Sequence, residues 1–353
     1  MPTTTIDTLL SCFVMVSLVL SSMVGVYTVV HPFLQEQQSW YKTQVNQKLA
    51  EYLLLEPGYP VNWGSDLTTS LTDFGLAKSG FATPFELDID KVTRLNSENV
   101  YNVSFLDVFS ALGTQDRPFR ITVKPVFDVT VNLTSKQERL TDTVYHFQVH
   151  TEKSNLPIAA NLSCYAVFLD QVVSNASSTS PTGEGLVEIA LPNEGNGTAL
   201  FIVIAKANSK TTSYAVYPFT HQSSDNHHPQ GAYATLSPVD YTLRVDLVSV
   251  DDRVSRAMVL TYNDWFNLAE INESQATMFY TMPHLLDVGP MVLVGTGLDE
   301  STSFVEWTVY PQIPVDFGLN FTGQYDLLDS YAFRYLVTIN SAVYECEVTI
   351  GGT

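Results

Sequence analysis

The chain has 353 residues, with 37 acidic and 17 basic side chains, a formal net charge of −20 and 3 cysteines. That charge repels phosphate and excludes nucleic acid as a partner. With Cys12 inside an apolar run, only Cys164 and Cys346 remain, which excludes a disulfide-stapled framework.

The first element is Leu9–Val30, LLSCFVMVSLVLSSMVGVYTVV, a run without one charged side chain. A helix needs about 20 residues to cross a ~30 Å hydrocarbon core. A cleaved secretory signal is the competing reading. It has a basic start, a shorter apolar core and a small-residue cleavage site, whereas MPTTTID carries no Lys or Arg and VVHPFL follows the run. The expectation is a retained single-pass anchor in the cell membrane, N-terminus in and C-terminal bulk extracellular. Ser17, Ser21 and Gly25 recur at four-residue intervals, placing small residues on one face where transmembrane helices approach closely.

His31-Pro32 predicts a kink, because proline removes a helix hydrogen bond. Helical spacing resumes in FLQEQQSWYKTQVNQKLAEYLLLEPG, where Tyr41, Val45, Leu49 and Leu53 form an apolar stripe. Pro57-Gly58 ends it. Residues 1–57 thus read as anchor and amphipathic stalk, and the stripe requires a partner. Neighbouring stalks, giving a homo-oligomer or filament, are one possibility; the chain's own head is the other.

Residues 58–117 read as a connector of loop and short helices. PGYPVNWGSDLTTS is a loop with aromatic anchors Tyr59, Trp63 and, further on, Phe74. A short helix is expected around Lys91–Leu95, and a stronger one in SFLDVFSALG, with Ser104 as N-cap and Gly113 as stop.

From Pro118 the period changes to two. FRITVKPVFDVTVNLT, DTVYHFQVHTE, ANLSCYAVFLD, GLVEIALP and TALFIVIAKA are split by turn residues, which predicts an antiparallel β-sandwich over 118–220. After the polar QSSDNHHPQG, strand patterns continue, and 221–353 reads as a second β domain. The fold class expected is α+β, mainly β: one long N-terminal transmembrane and stalk helix followed by two antiparallel β-sandwich domains.

Seven N-x-S/T sequons follow the anchor, at Asn102, Asn132, Asn161, Asn175, Asn196, Asn272 and Asn320, and none precedes it. That distribution predicts an exported surface carrying N-glycans. Cys164 and Cys346 either pair in an oxidising exterior or remain two buried thiols.

No H-E-x-x-H, G-x-S-x-G, P-loop or C-x-x-C occurs. Gly295 and Gly297, in GTGLDES, read as a hairpin turn. His221, His227 and His228 with Asp225 read as solvated linker before metal ligands, and Asp88/Asp90 and Asp251/Asp252 as surface acids before a calcium site. Trp63, Trp265 and Trp307 are the aromatic candidates for subunit or carbohydrate contacts. The expectation is no enzyme, no catalytic residue, no cofactor and no metal.

The apolar helix running into an amphipathic stalk resembles the type IV pilins and archaeal pilin-like surface proteins. LLLEPGYPVNWGS…LTDFGLA…ELDIDKVTRLN, roughly residues 49–96, is similar to a run in uncharacterised archaeal proteins with such an N-terminus. VHTEKSNLPIAANLS with GEGLVEIALP resembles extracellular immunoglobulin-like modules over about 118–220. These resemblances imply a structural subunit of an extracellular filament, assembled through the N-terminal helix with glycosylated β domains outward. The alternative is a lone surface protein of adhesin type, whose β domains bind a ligand or another envelope protein.

Overall fold

Helix α1 (Thr3–Leu55) runs for 53 residues in the computed structural model, about 80 Å at 1.5 Å per residue. The residues described are 3–80, 83–113, 117–222, 234–239, 241–247, 252–274, 277–282, 289–299, 302–321 and 330–351. Pro32 lies inside α1 and does not end it. The helix continues past the lost hydrogen bond because its other backbone bonds on either side remain.

The last turns of α1 are buried in the chain's own head. Asn46, Ala50, Leu53 and Leu54 are buried, and Leu49 packs against the same core as Phe74, Leu87, Phe119 and Val348. The expected stripe is therefore divided. Leu53 and Leu49 belong to this chain's core, while Tyr41 remains 66% exposed and Val45 is half-buried. The free carbonyls at the helix end are taken by the following loop: Leu76 N–H donates to Leu53 O at 2.9 Å, and Ala77 N–H to Glu56 O at 3.0 Å.

This base is closed by strands from both ends of the chain. A five-stranded sheet runs in the order Val315–Gly318, Phe119–Pro125, Ala342–Gly351, Ser330–Ile339 and Glu86–Leu87. Phe119, Ile121 and Val123 alternate inward and meet Tyr344, Cys346, Val348 and Ile350. Pairing within this sheet crosses the divisions expected at 117/118 and 220/221. Phe119–Pro125 pairs with the C-terminal Ala342–Gly351, so the base combines the connector with both ends of the β region. Helices α2 (Ile89–Thr93) and α3 (Phe105–Leu112) pack here, α3 capped by Ser104, whose Oγ accepts from Asp107 N–H at 3.1 Å.

Beyond the base, two four-stranded sheets flank an eight-stranded sheet whose two halves pack on each other, so the strands lie in four layers. The first holds Glu184–Pro192, Asp142–Lys153 and Asp128–Glu138. Thr212–His221, Gly197–Lys206, Asn161–Phe168 and Gln171–Ser178 make the second. A single parallel pair, Gly197 with Ser303, joins it to the third: Trp265–Asn267, Asp252–Leu260, Met291–Asp299 and Thr302–Tyr310. The fourth holds Ala234–Val239, Thr242–Leu247, Thr277–Thr281 and Ala269–Ser274.

Three cores separate these layers. Phe147 stacks on Phe201 at 3.9 Å between the first and second layers. Tyr165, Leu200, Ile202, Met258, Val292 and Val294 fill the space between the second and third. Leu243, Val245, Val259, Leu293 and Phe304 do so between the third and fourth. Strands Gly197–Lys206 and Met291–Asp299 are covered on both faces, which is why their sequences are runs of apolar residues without alternation. Gly295 and Gly297 lie within the second of these strands, not in a turn. A Cβ on Gly297 would stand 2.2 Å from Arg253 O and 2.4 Å from the Phe304 ring, so the glycine admits that ring.

Candidate functional site

From Ile6 to Val30 every residue of α1 is exposed, apolar side chains facing outward on all sides. Leu9, Phe13, Met15 and Val29 are each more than 70% exposed. Such a cylinder is insoluble on its own, since each large side chain gains about 1.5–3 kcal/mol on leaving water. The run free of Asp, Glu, Lys and Arg extends from Thr8 to Gln35, 28 residues. At 1.5 Å per residue that is about 42 Å, the thickness of a bilayer with its headgroups. The helix is long and apolar enough to cross a membrane. Two hydroxyls within it bond to its own backbone: Ser22 Oγ donates to Val19 O at 2.8 Å and Thr28 Oγ1 to Gly25 O at 3.0 Å. Ser17, Ser21 and Gly25 are exposed on one face, and nothing lies within 4 Å of where a Gly25 Cβ would sit.

Between Gln35 and Asn46 the helix forms a polar neck of about 16 Å before it enters the base. Trp40 and Tyr41 stand bare on this neck, 62% and 66% exposed.

The sequon asparagines are spread over the head. Asn102, Asn132, Asn161, Asn175, Asn196 and Asn320 are all exposed. Asn272 is on strand Ala269–Ser274, but its side chain lies outside the described residues. Asn132, Asn161 and Asn175 occupy strands, Asn196 the loop before strand Gly197–Lys206, and Asn102 the approach to α3.

Several titratable groups have structural partners that the sequence reading missed. Lys91 is fully buried and its Nζ donates to Pro57 O and Ala77 O, each at 2.9 Å. Burial lowers its pKa, against the opposing pull of Asp88 and Asp90. Those two acids were candidates for a calcium site. Asp88 instead caps α2, accepting from Asp90 N–H at 3.0 Å and Lys91 N–H at 3.2 Å, and Asp90 accepts from the hydroxyl of Tyr310. Asp252 is on a strand, and Asp251, Asp225, His227 and His228 lie outside the described residues. His221 is not linker but the buried end of a strand: Tyr145 Oη is 2.8 Å from its Nδ1, and Pro192 O is 2.9 Å from its Nε2. A carbonyl only accepts, so Nε2 carries the proton and Nδ1 receives the Tyr145 hydroxyl. Among the described residues no three His, Cys, Asp or Glu side chains are grouped to hold a metal ion.

Trp63 is core, 1% exposed, with Nε1 donating to Gly75 O at 3.0 Å. Trp265 and Trp307 are half-buried, and the Arg256 guanidinium lies 5.2 Å from the Trp265 ring. Cys164 and Cys346 are free thiols in different cores, each pushed up to about 12 by burial.

The chain matches no family model and no curated protein. Among solved structures it is similar to a marsupial T cell receptor, over 53% of this chain and 97% of that chain, at 7% identity and a TM-score of 0.19. A score that low carries no argument about function. What stands is a long apolar helix able to span a membrane, followed by β-rich domains of curled sheets.

Proposed function

We propose that the chain is a single-pass surface protein with a structural role, its head held off the bilayer by the neck of α1. One observation carries this: side chains from Ile6 to Val30 are exposed and mostly apolar on every face, while burial in the head begins only at Asn46. The distribution of sequons supports an outside head carrying N-glycans, and the apolar cores between facing sheets support its reading as two β-sandwich units of immunoglobulin-like type. Protease added to intact cells is expected to remove the head and leave a membrane-bound stub of α1. A head protected in intact cells overturns the reading.

A second reading extends the first: copies associate through α1, as in a pilin-like filament. It is favoured by the open face at Ser17, Ser21 and Gly25 and by the bare Trp40 and Tyr41, since Leu49 and Leu53 are used within the chain. Gly25→Leu blocks close helix approach without touching the head. The expected result is an oligomer in mild detergent for the parent and a monomer for Gly25→Leu. A monomeric parent, with no filaments in envelope fractions, leaves the lone surface protein.

A further inference from the structure

Asn102 borders a cleft. This cleft, about 540 Å³, lies between the loop 66–72 and α3, and Thr69, Thr72, Arg94, Asn102, Asp107 and Ser110 are among its lining residues. Its walls are fixed in place. The Asp66 carboxylate accepts from Thr68 N–H at 2.8 Å, Thr68 Oγ1 at 2.7 Å and Thr69 Oγ1 at 2.5 Å, bonds that hold its pKa down to about 2. Arg94 ties that loop to the segment bearing Asn102: Nε donates to Tyr101 O at 2.8 Å, and Nη1 to Trp63 O and Asp66 O. Hydroxyls, a guanidinium and a carboxylate offer donors and acceptors together, the set that matches a neutral polyol.

The Asn102 amide is held by one hydrogen bond. Its Nδ2 donates to Ser97 O at 3.2 Å, which uses one of its two hydrogens. In an N-glycoside, Nδ2 displaces the phosphate-linked lipid carrier from C1 of the sugar donor and gives up one proton. The second N–H survives, so the bond to Ser97 is kept and directs the first sugar.

We propose that this cleft is a glycan-binding site, seating the first sugars of an oligosaccharide carried by Asn102 and so linking the 66–72 loop to α3. The inference rests on the reading of the sequons as glycosylated.

Full-length protein from its native host, in detergent, tests it by glycopeptide mass spectrometry and amide hydrogen exchange. Asn102 is expected to be occupied, and Asn102→Gln to speed exchange in 66–72 and 104–112 by about tenfold. The same substitution in protein made without glycosylation, and Asn175→Gln in native protein, should leave those rates unchanged. Thr72→Val with Ser110→Val keeps the sequon; occupancy should persist while exchange rises as in Asn102→Gln. A bare Asn102 beside occupied sequons overturns the cleft assignment and spares the glycoprotein reading. An occupied Asn102 whose loss changes no rate, or changes it equally without glycans, also overturns it. Bare asparagines throughout overturn both.

Discussion

The ammonium of Lys91 donates to the carbonyl of Pro57, 34 residues earlier, at 2.9 Å. Together with its bond to Ala77 O, this closes the joint where α1 gives way to the base. The carbonyls lie beyond reach of their own helix or strand, and a buried acceptor left without a donor costs about 1–3 kcal/mol. Lys91→Met keeps the length and apolar stem and removes three donors. We expect a loss of about 3 kcal/mol, read as a lower midpoint in denaturant with the slope unchanged. An unchanged midpoint would show that the joint is held by Leu53, Leu54 and Trp63 alone.

His221 gives the pH dependence. Burial in the core beside Tyr145 and Phe168 lowers its pKa below the ordinary 6.5, the nearby charge of Lys136 adding to this and the Pro192 carbonyl opposing it. The unfolded chain binds a proton near pH 6.5, while the folded one does so only at lower pH. Stability from this residue is therefore complete above about pH 6.5 and is lost as pH falls through the folded value. Thermal midpoints of the parent and of His221→Gln, measured from pH 7.5 downward, should converge as the medium becomes acidic. Parallel curves would mean that His221 titrates alike in both states.

How much of this was legible in the sequence depends on distance along the chain. The apolar run, Ser104 before Phe105 and the alternation of FRITVKP are local, and local spacing found them. The pairing of Phe119–Pro125 with Ala342–Gly351 is not local, and alternation shows which face is inward without naming the neighbour. For the same reason the stripe at Leu49 and Leu53 was visible, but not whether another stalk or the chain's own Phe74 and Phe119 would cover it. Asp90 read as a surface acid because charged side chains are almost never fully buried unless paired, and its partner Tyr310 lies in a distant segment, as Pro57 O does for Lys91.

The joint between the two inner layers depends on Gly197 and supplies the last prediction. Its φ is +140°, where L side chains are strained, and a Cβ there would stand 1.9 Å from Ser303 Oγ. Ser303 Oγ itself donates to Asn196 O at 3.0 Å, so it cannot turn away without losing that bond. Gly197→Ala therefore meets two separable penalties, a backbone strain of about 1–3 kcal/mol and a steric clash of similar size. Adding Ser303→Ala removes the oxygen at 1.9 Å and leaves the Cβ and carbonyl oxygen of residue 303 each at 3.3 Å, a tight contact that a shift of a few tenths of an ångström relieves. The double variant should recover the clash but not the strain, less the bond to Asn196. A double-mutant cycle in denaturant should thus show a favourable coupling of about 1 kcal/mol or more between the two sites. Strict additivity would place the whole cost of Gly197→Ala in the backbone, and the two layers would then be joined without any close approach of Ser303.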